Sequence, residues 1–301
     1  MRRALALASA GVAGALVLVG AIAIPSLAGD RAAVPARSAS GVTIAEAIAY
    51  GDDVAQRIDV CLPRGEATVD RAAILLVHGG SWARGSRTDA HWRDTCEWLA
   101  AAGYVVANVD YRLAPAHPFP AGIDDVTAAL AWLRAPETLE AYRIDPARIG
   151  AVGGSAGGNL ATLLATSGEG AWDAGPRVAS VVTLSAPLDL TGADVADDFV
   201  ARQLAYLGCD AFVDCAAAAL ASPATFADPT DPPVLVVHGD EDPIPLAQAR
   251  SFVEALEDAD APVQLAVVPS HRHSIGLLEE PGVRDAVLAF LETTLQEPAL
   301  G

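Results

Sequence analysis

The sequence predicts an α/β fold: a mostly parallel central sheet with helices on both faces and a small helical cap inserted late in the chain. Three observations carry this. Runs such as AAILLVHGG (72–80), YVVANVDY (104–111) and PPVLVVHGD (232–240) are largely apolar without a polar alternation, as strands buried on both faces are. Between them lie stretches whose apolar residues recur every three to four positions, the period of helices packed on a sheet. The alternation breaks once, at residues 188–222.

The elements follow in order. TIAEAIAY (43–50) and AQRIDVCLP (55–63) read as an antiparallel pair at one edge of the sheet. AAILLVHGG is a buried strand ending in glycines. In DAHWRDTCEWLAAAG (89–103), Trp92, Cys96 and Leu99 make a helical stripe that Gly103 ends. YVVANVDY is the next strand and IDDVTAALAWLRA (123–135) the next helix. RIGAVGG (148–154) is a strand that runs directly into AGGNLATLLATSG, a helix closing at Gly168. RVASVVTLSAP (177–187) and PPVLVVHGD are strands, separated by 188–222, which holds two helical segments. An insertion on the side where the strands' C-terminal ends open forms a cap. PLAQARSFVEALEDA (245–259) is a helix, VQLAVVP (263–269) a strand, and the segment from Val283 to about Leu295 a final helix. There is no internal repeat and no second core, so residues 42–298 form one domain, with 188–222 as its cap.

Composition narrows the chemistry. About half of the 301 residues are apolar, enough for a sizeable core. The chain contains no lysine. That excludes a Schiff-base lysine, a phosphate-loop lysine and a Ser–Lys dyad. The net charge of −19 opposes binding to a phosphate backbone and keeps a secreted protein soluble. Nothing in the sequence specifies an oligomeric state.

The N-terminus begins MRR, continues with the uncharged apolar run Ala4–Ile24 and reaches small residues at PSLAG. This reads as a secretory signal, residues 1–28, cleaved after Ala28, with 29–41 as a small-residue linker. An uncleaved membrane anchor formed by residues 4–24 is the alternative, since about 20 apolar residues can span a bilayer. Of the four cysteines, none forms a Cys-x-x-Cys pair, which argues against a zinc site. In an oxidising compartment they are expected as disulfides. Cys209 and Cys215 would close a small loop and leave Cys61 with Cys96, one of three possible connectivities.

The stretch VGGSAGGNLA (152–161) raises the question of function, because four glycines flank one serine where a strand meets a helix. In a parallel α/β sheet ligands bind at such strand ends. A sharp strand-to-helix turn leaves no room for side chains two residues either side of the serine, hence Gly153 and Gly157. This is the G-x-S-x-G pattern that exposes a serine nucleophile, Ser155, at a helix N-terminus.

A serine needs a base, and the base needs an orienting carboxylate. His91 sits on a helix, on a solvated face; His117 lies in a loop without strand-end geometry. His78 and His238 end apolar strands beside glycines and read as backbone-bonding structural residues. His271 and His273, in PSHRHSIG after the last strand, remain as candidates. HGDEDPIP (238–245) offers Asp240, Glu241 and Asp242, and the order 155, 242, 273 fits Ser…Asp…His. The glycines of HGGSW (78–82) allow the Gly79 and Gly80 N–H groups to turn toward an acyl oxygen, with the Ala156 N–H as a further donor.

Together HGGSW, DYRLAP (110–115), FPAGIDDV (119–126), GGSAGGNLA, ASP (221–223), HGDEDPIP and the histidine loop resemble the α/β-hydrolase superfamily. More closely they resemble its carboxylesterases with a His-Gly-Gly oxyanion motif, of the hormone-sensitive-lipase and feruloyl-esterase type. The likeness runs from about residue 43 to 297. It implies the α/β-hydrolase fold, Ser155 as nucleophile, and Gly79, Gly80 and Ala156 as the oxyanion hole. Asp242 is then the acid, being four residues after His238 as in the family's His-Gly-x-x-Asp, with Asp240 as runner-up. His273, followed by Ser274 and Ile275, matches the base; His271 is the alternative. The family does not use Asp110, Arg112, Asp124 or Asp125 in the chemistry, so these are read as structural. Ser81 departs from the third glycine of the lipase-type branch, and the resulting His-Gly-Gly-x-Trp also occurs in formamidase-like relatives.

The resemblance implies a serine carboxylesterase that takes small-molecule esters through an acyl-enzyme, with no metal and no cofactor, and the short cap predicts short to medium acyl groups. Neither nucleic acid nor a membrane partner, beyond the possible anchor, is expected. The alternatives are an amidase or arylformamidase of the same fold, and a non-catalytic binding protein on a hydrolase scaffold.

Overall fold

The computed structural model describes residues 36–37 and 41–295, apart from 169, 173 and 174. The signal segment 1–28 and most of the 29–41 linker lie outside the described residues. Of the linker, Ala36–Arg37 (β1) pairs with the first long strand. The remaining strands are Thr43–Ala49 (β2), Arg57–Leu62 (β3), Arg71–Val77 (β4), Val105–Val109 (β5), Ile144–Gly154 (β6), Val181–Leu184 (β7), Val234–Gly239 (β8) and Val263–Val268 (β9). The helices are Ala90–Ala101 (α1), Ala121–Leu133 (α2), Pro136–Tyr142 (α3), Ala156–Thr166 (α4), Asp197–Leu207 (α5), Ala216–Leu220 (α6), Leu246–Asp258 (α7) and Val283–Thr294 (α8).

The sheet order is β1-β2-β3-β5-β4-β6-β7-β8-β9. The β1, β2 and β3 pairings are antiparallel, including that of β3 with β5. From β5 to β9 every neighbour is parallel. The sequence's antiparallel edge pair and parallel centre are therefore both present, and the molecule has the α/β-hydrolase fold. Because β4 is followed in space by β5 on one side and β6 on the other, the loops leaving β4 and β6 diverge. Such a switch point opens a crevice at the C-terminal strand ends.

Two cores explain the unbroken apolar runs. Along β4, Ala73, Leu75 and Val77 face one core with Leu130, Leu160, Leu164 and Phe252, while Ile74 and Leu76 face the other with Trp92, Leu99, Val287 and Leu291. Helices α2, α4 and α7 thus cover one face, and α1 and α8 the other. The disulfides are Cys61–Cys96, joining β3 to α1, and Cys209–Cys215, closing the loop between α5 and α6.

Boundaries differ from the sequence reading in instructive ways. Helix α3 was not expected; it is seven residues long and offers too few apolar positions for a period to show. Strand β6 starts four residues before the expected Arg148 because Ile144 pairs with Arg71, ahead of the regular register. Within 188–222 the two expected helices are α5 and α6.

Candidate active site

Strand β6 ends at Gly154 and α4 starts at Ala156, so the whole change of direction falls on Ser155. Its backbone sits at φ 54° and ψ −125°, a region that residues with a Cβ avoid. The Ser155 N–H donates to the Leu184 carbonyl on β7 at 2.8 Å. The glycines are there for lack of space. A Cβ on Gly153 would overlap the Gly157 carbonyl, and one on Gly157 would overlap the carbonyls of Val77 and His78. Gly154 and Gly158, for which the sequence offered no reason, are crowded as well. The first lies against the Ser274 hydroxyl, and the second would bring a Cβ to 2.6 Å from Thr183 Oγ1.

The loop after β4 passes beside this turn. A Cβ on Gly79 would come within 2.7 Å of the Gly154 carbonyl and 3.2 Å of the Ser155 Cβ. Gly80 has φ 126°, and Ser81 and Trp82 are both left-handed. Among the described residues, the N–H groups of Gly79, Gly80 and Ala156 donate to no acceptor. Three donors free of internal bonds, next to one serine hydroxyl, are what a developing oxyanion requires.

His78 fixes this loop. Its Nδ1–H donates to the Gly79 carbonyl at 2.8 Å. The Tyr111 ring stacks on it at 4.4 Å, and the Tyr111 hydroxyl donates to the His78 carbonyl at 2.9 Å. Burial holds the imidazole pKa below its ordinary value, with the Gly79 bond opposing, so His78 is neutral and structural. Asp110 pairs with Arg87, which also binds Asp59 at 2.9 Å. Asp125 accepts from the Arg112 guanidinium at 2.7 Å and from Gln56 at 2.7 Å. These acids hold loops, and Asp124 is exposed and, among the described residues, has no bond to Ser155.

The loops after β8 and β9 supply the remaining groups. The Asp242 carboxylate is fully buried and accepts the Ile244 N–H at 2.8 Å. It also accepts from His273 Nδ1–H at 2.9 and 3.1 Å. That bond places the proton on Nδ1 and leaves Nε2 as an acceptor. Asp240 is exposed and takes the Ser270 N–H at 2.9 Å. His271 is exposed. His238 Nε2 donates to the Ile244 carbonyl at 2.8 Å, the backbone-bonding role the sequence suggested.

Ser155, His273, Gly79 and Gly80 line one cavity of about 470 Å³. Ser155 is 5% exposed, and its hydroxyl makes no hydrogen bond among the described residues. Nucleophile–base bonds are often loose before substrate arrives. Sequence reasoning named no cap residue for the site, yet Phe199 and Arg202 of α5 line the cavity. The i, i+3 and i+7 spacing of Phe199, Arg202 and Tyr206 was the available signal. His91, expected on a solvated face, also lines this cavity, because α1 begins at its mouth. Among the described residues no group of three His, Cys, Asp or Glu side chains could hold a metal ion.

Comparison with known proteins places the chain in a family. The chain is 33% identical over 252 residues to esterase LipC of Mycobacterium tuberculosis, an alignment covering 78% of this chain and 58% of that protein. It is 38% identical over 132 residues to mouse arylacetamide deacetylase, covering 44% of this chain and 32% of the other. The chain thus spans little more than half, or less, of these relatives. In three dimensions it resembles a truncated carbohydrate esterase from gut microbiota, with a TM-score of 0.71 at 24% identity over 85% of this chain and 97% of that one. Residues 58–256, well over half of the chain, match the BD-FAE family profile, and the chain belongs to that family of α/β-hydrolases.

Proposed function

We propose that this chain is a serine carboxylesterase acting through an acyl-enzyme, with Ser155 as nucleophile, His273 as base and Asp242 as its orienting acid. The observation that carries the reading is the buried Asp242 carboxylate bonded to His273 Nδ1, in the same cavity as a serine on a strained turn. His273 Nε2 takes the Ser155 proton as Oγ attacks the ester carbonyl. The C=O π pair moves onto oxygen, which the Gly79, Gly80 and Ala156 N–H groups receive. The tetrahedral adduct collapses, the ester C–O bond breaks, and His273 returns the proton to the departing alkoxide. Water then repeats the sequence on the acyl-Ser155 bond and releases the acid. Asp242 keeps the tautomer and offsets the charge on the imidazolium.

A cavity of about 470 Å³ suits short to medium acyl groups. The N-terminal signal pattern and the two disulfides support an extracellular location. The likeness to arylacetamide deacetylase supports a second reading, in which amides are also cleaved. Hydrolysis of p-nitrophenyl esters from acetate to decanoate, wild type beside Ser155→Ala, tests the proposal. Activity that needs Ser155 and falls with acyl length is expected. Silence toward esters with turnover of an aryl acetamide would replace the first reading with the second.

A further inference from the structure

The end of β7 touches all three parts of the site, though none of its residues belongs to them. Leu184 accepts the Ser155 N–H at 2.8 Å. The next residue, Ser185, accepts the Ser274 N–H on its Oγ at 3.0 Å, and Ser274 directly follows His273. The Ser185 N–H donates to the Val237 carbonyl at 2.9 Å, on the strand whose loop carries Asp242. One dipeptide therefore joins the nucleophile's backbone, the base's backbone and the acid's strand.

Ser185 has the properties of a fixed part. It is fully buried and left-handed, at φ 52°. Its partner Ser274 is left-handed too, at φ 60°, and the Ser274 side chain lies against Gly154, immediately before Ser155. Two non-glycine residues held in a costly conformation at one contact indicate surroundings that over-determine it. A glycine would serve the Ser185 backbone better but would supply no acceptor for the Ser274 N–H.

Building on the esterase reading, we infer that Ser185 is a positioning residue: its hydroxyl oxygen holds the backbone after His273 and so fixes the imidazole's placement relative to Ser155. It touches neither substrate nor the reacting atoms. Small misplacement of a base costs disproportionate rate, because proton transfer needs a heavy-atom separation near 3 Å.

The test is Ser185→Gly, which relieves the left-handed backbone and removes only the acceptor. Expected is a melting temperature within a few degrees of wild type, with kcat for p-nitrophenyl acetate reduced at least tenfold and KM within twofold. Covalent labelling of Ser155 by a fluorophosphonate should slow in proportion. Ser185→Ala should behave alike in kcat at lower stability. A glycine variant whose kcat stays within threefold of wild type overturns the inference. So does one whose KM rises in step with a loss of stability, since that is the mark of general loosening. A wild-type chain inactive on every ester would instead overturn the esterase reading, and this inference with it.

Discussion

At Ser155, an L-residue occupies φ 54°, and Ser81, Trp82, Ser185 and Ser274 share the left-handed region around it. Each such conformation costs roughly 1–3 kcal/mol, and their clustering marks the place where the fold spends stability on geometry. Replacing Ser155 with Ala should lower kcat/KM for p-nitrophenyl acetate by several orders of magnitude, with the melting temperature little changed. Asp242→Asn should also lose about three to four orders of magnitude, since an amide lets the imidazole take the wrong tautomer. A variant of either residue keeping a tenth of wild-type activity would remove it from the mechanism. Much of the site was legible in the sequence because its signals are local: glycines two residues from a serine, an acid four residues after His238, a histidine in the final loop. The family spacing already favoured Asp242 over Asp240, and the structure adds the contacts: Asp240 accepts a backbone N–H and Asp242 accepts from His273. Ser185 was illegible for a different reason. Its contact with Ser274 spans 89 residues, and a serine after a strand carries no periodic signal.

Among the elements, the cap is the one whose attachment bears on the site. Helix α5 lies on Trp82, whose ring stacks on Tyr206 at 4.2 Å with planes 4° apart and also meets Phe199. Trp82 is itself fixed from below, since its Nε1–H donates to Asn159 Oδ1 at 3.2 Å on α4, and Asn159 Nδ2 donates to the Ala221 carbonyl after α6. The tryptophan that follows Gly79 and Gly80 is thus the post on which the cap rests. Trp82→Ala should cost about 3–5 kcal/mol in urea melts. It should also raise KM more than it lowers kcat, because Phe199 and Arg202 lose their support. Unchanged KM would show the cap held by other contacts. The disulfides act on different elements. By loop entropy, Cys61–Cys96 contributes about 4 kcal/mol and the shorter Cys209–Cys215 loop about 2 kcal/mol. Paired serine variants should therefore lower the melting temperature in that order. The strands were readable because a doubly buried strand is apolar throughout. Helix α3 was not, since a seven-residue helix begun by Pro136 spans under two turns, too short for an apolar period to show.

On the scale of the whole molecule, the sheet has a working end and a supporting end. Every residue given a chemical role lies beyond the C-terminal ends of β4, β6, β8 and β9. Behind the opposite end, ahead of β7 and β8, Arg177 and Asp231 form an ion pair at 2.9 Å with both side chains fully buried. The guanidinium also donates to the Ala165 carbonyl near the end of α4 at 3.1 Å, to Thr230 Oγ1 at 3.0 Å and to the Thr230 carbonyl at 2.9 Å. The other Asp231 oxygen accepts the Asp228 N–H at 3.0 Å. One side chain thereby ties α4, the helix that follows Ser155, to the segment leading into β8. Removing the cation alone leaves a desolvated carboxylate, so Arg177→Met should cost about 3–5 kcal/mol. In a domain of this size that lowers the melting temperature by roughly 10 °C. Adding Asp231→Leu should restore most of the loss, because two apolar groups no longer leave a buried charge. The pair is remote from the crevice, so kcat/KM of the folded Arg177→Met protein should stay within about threefold of wild type at a temperature well below its melting point. If stability is unchanged, the pair is dispensable. If catalysis collapses while the fold persists, the supporting end communicates with the working end through α4, and the division of the sheet into two ends fails.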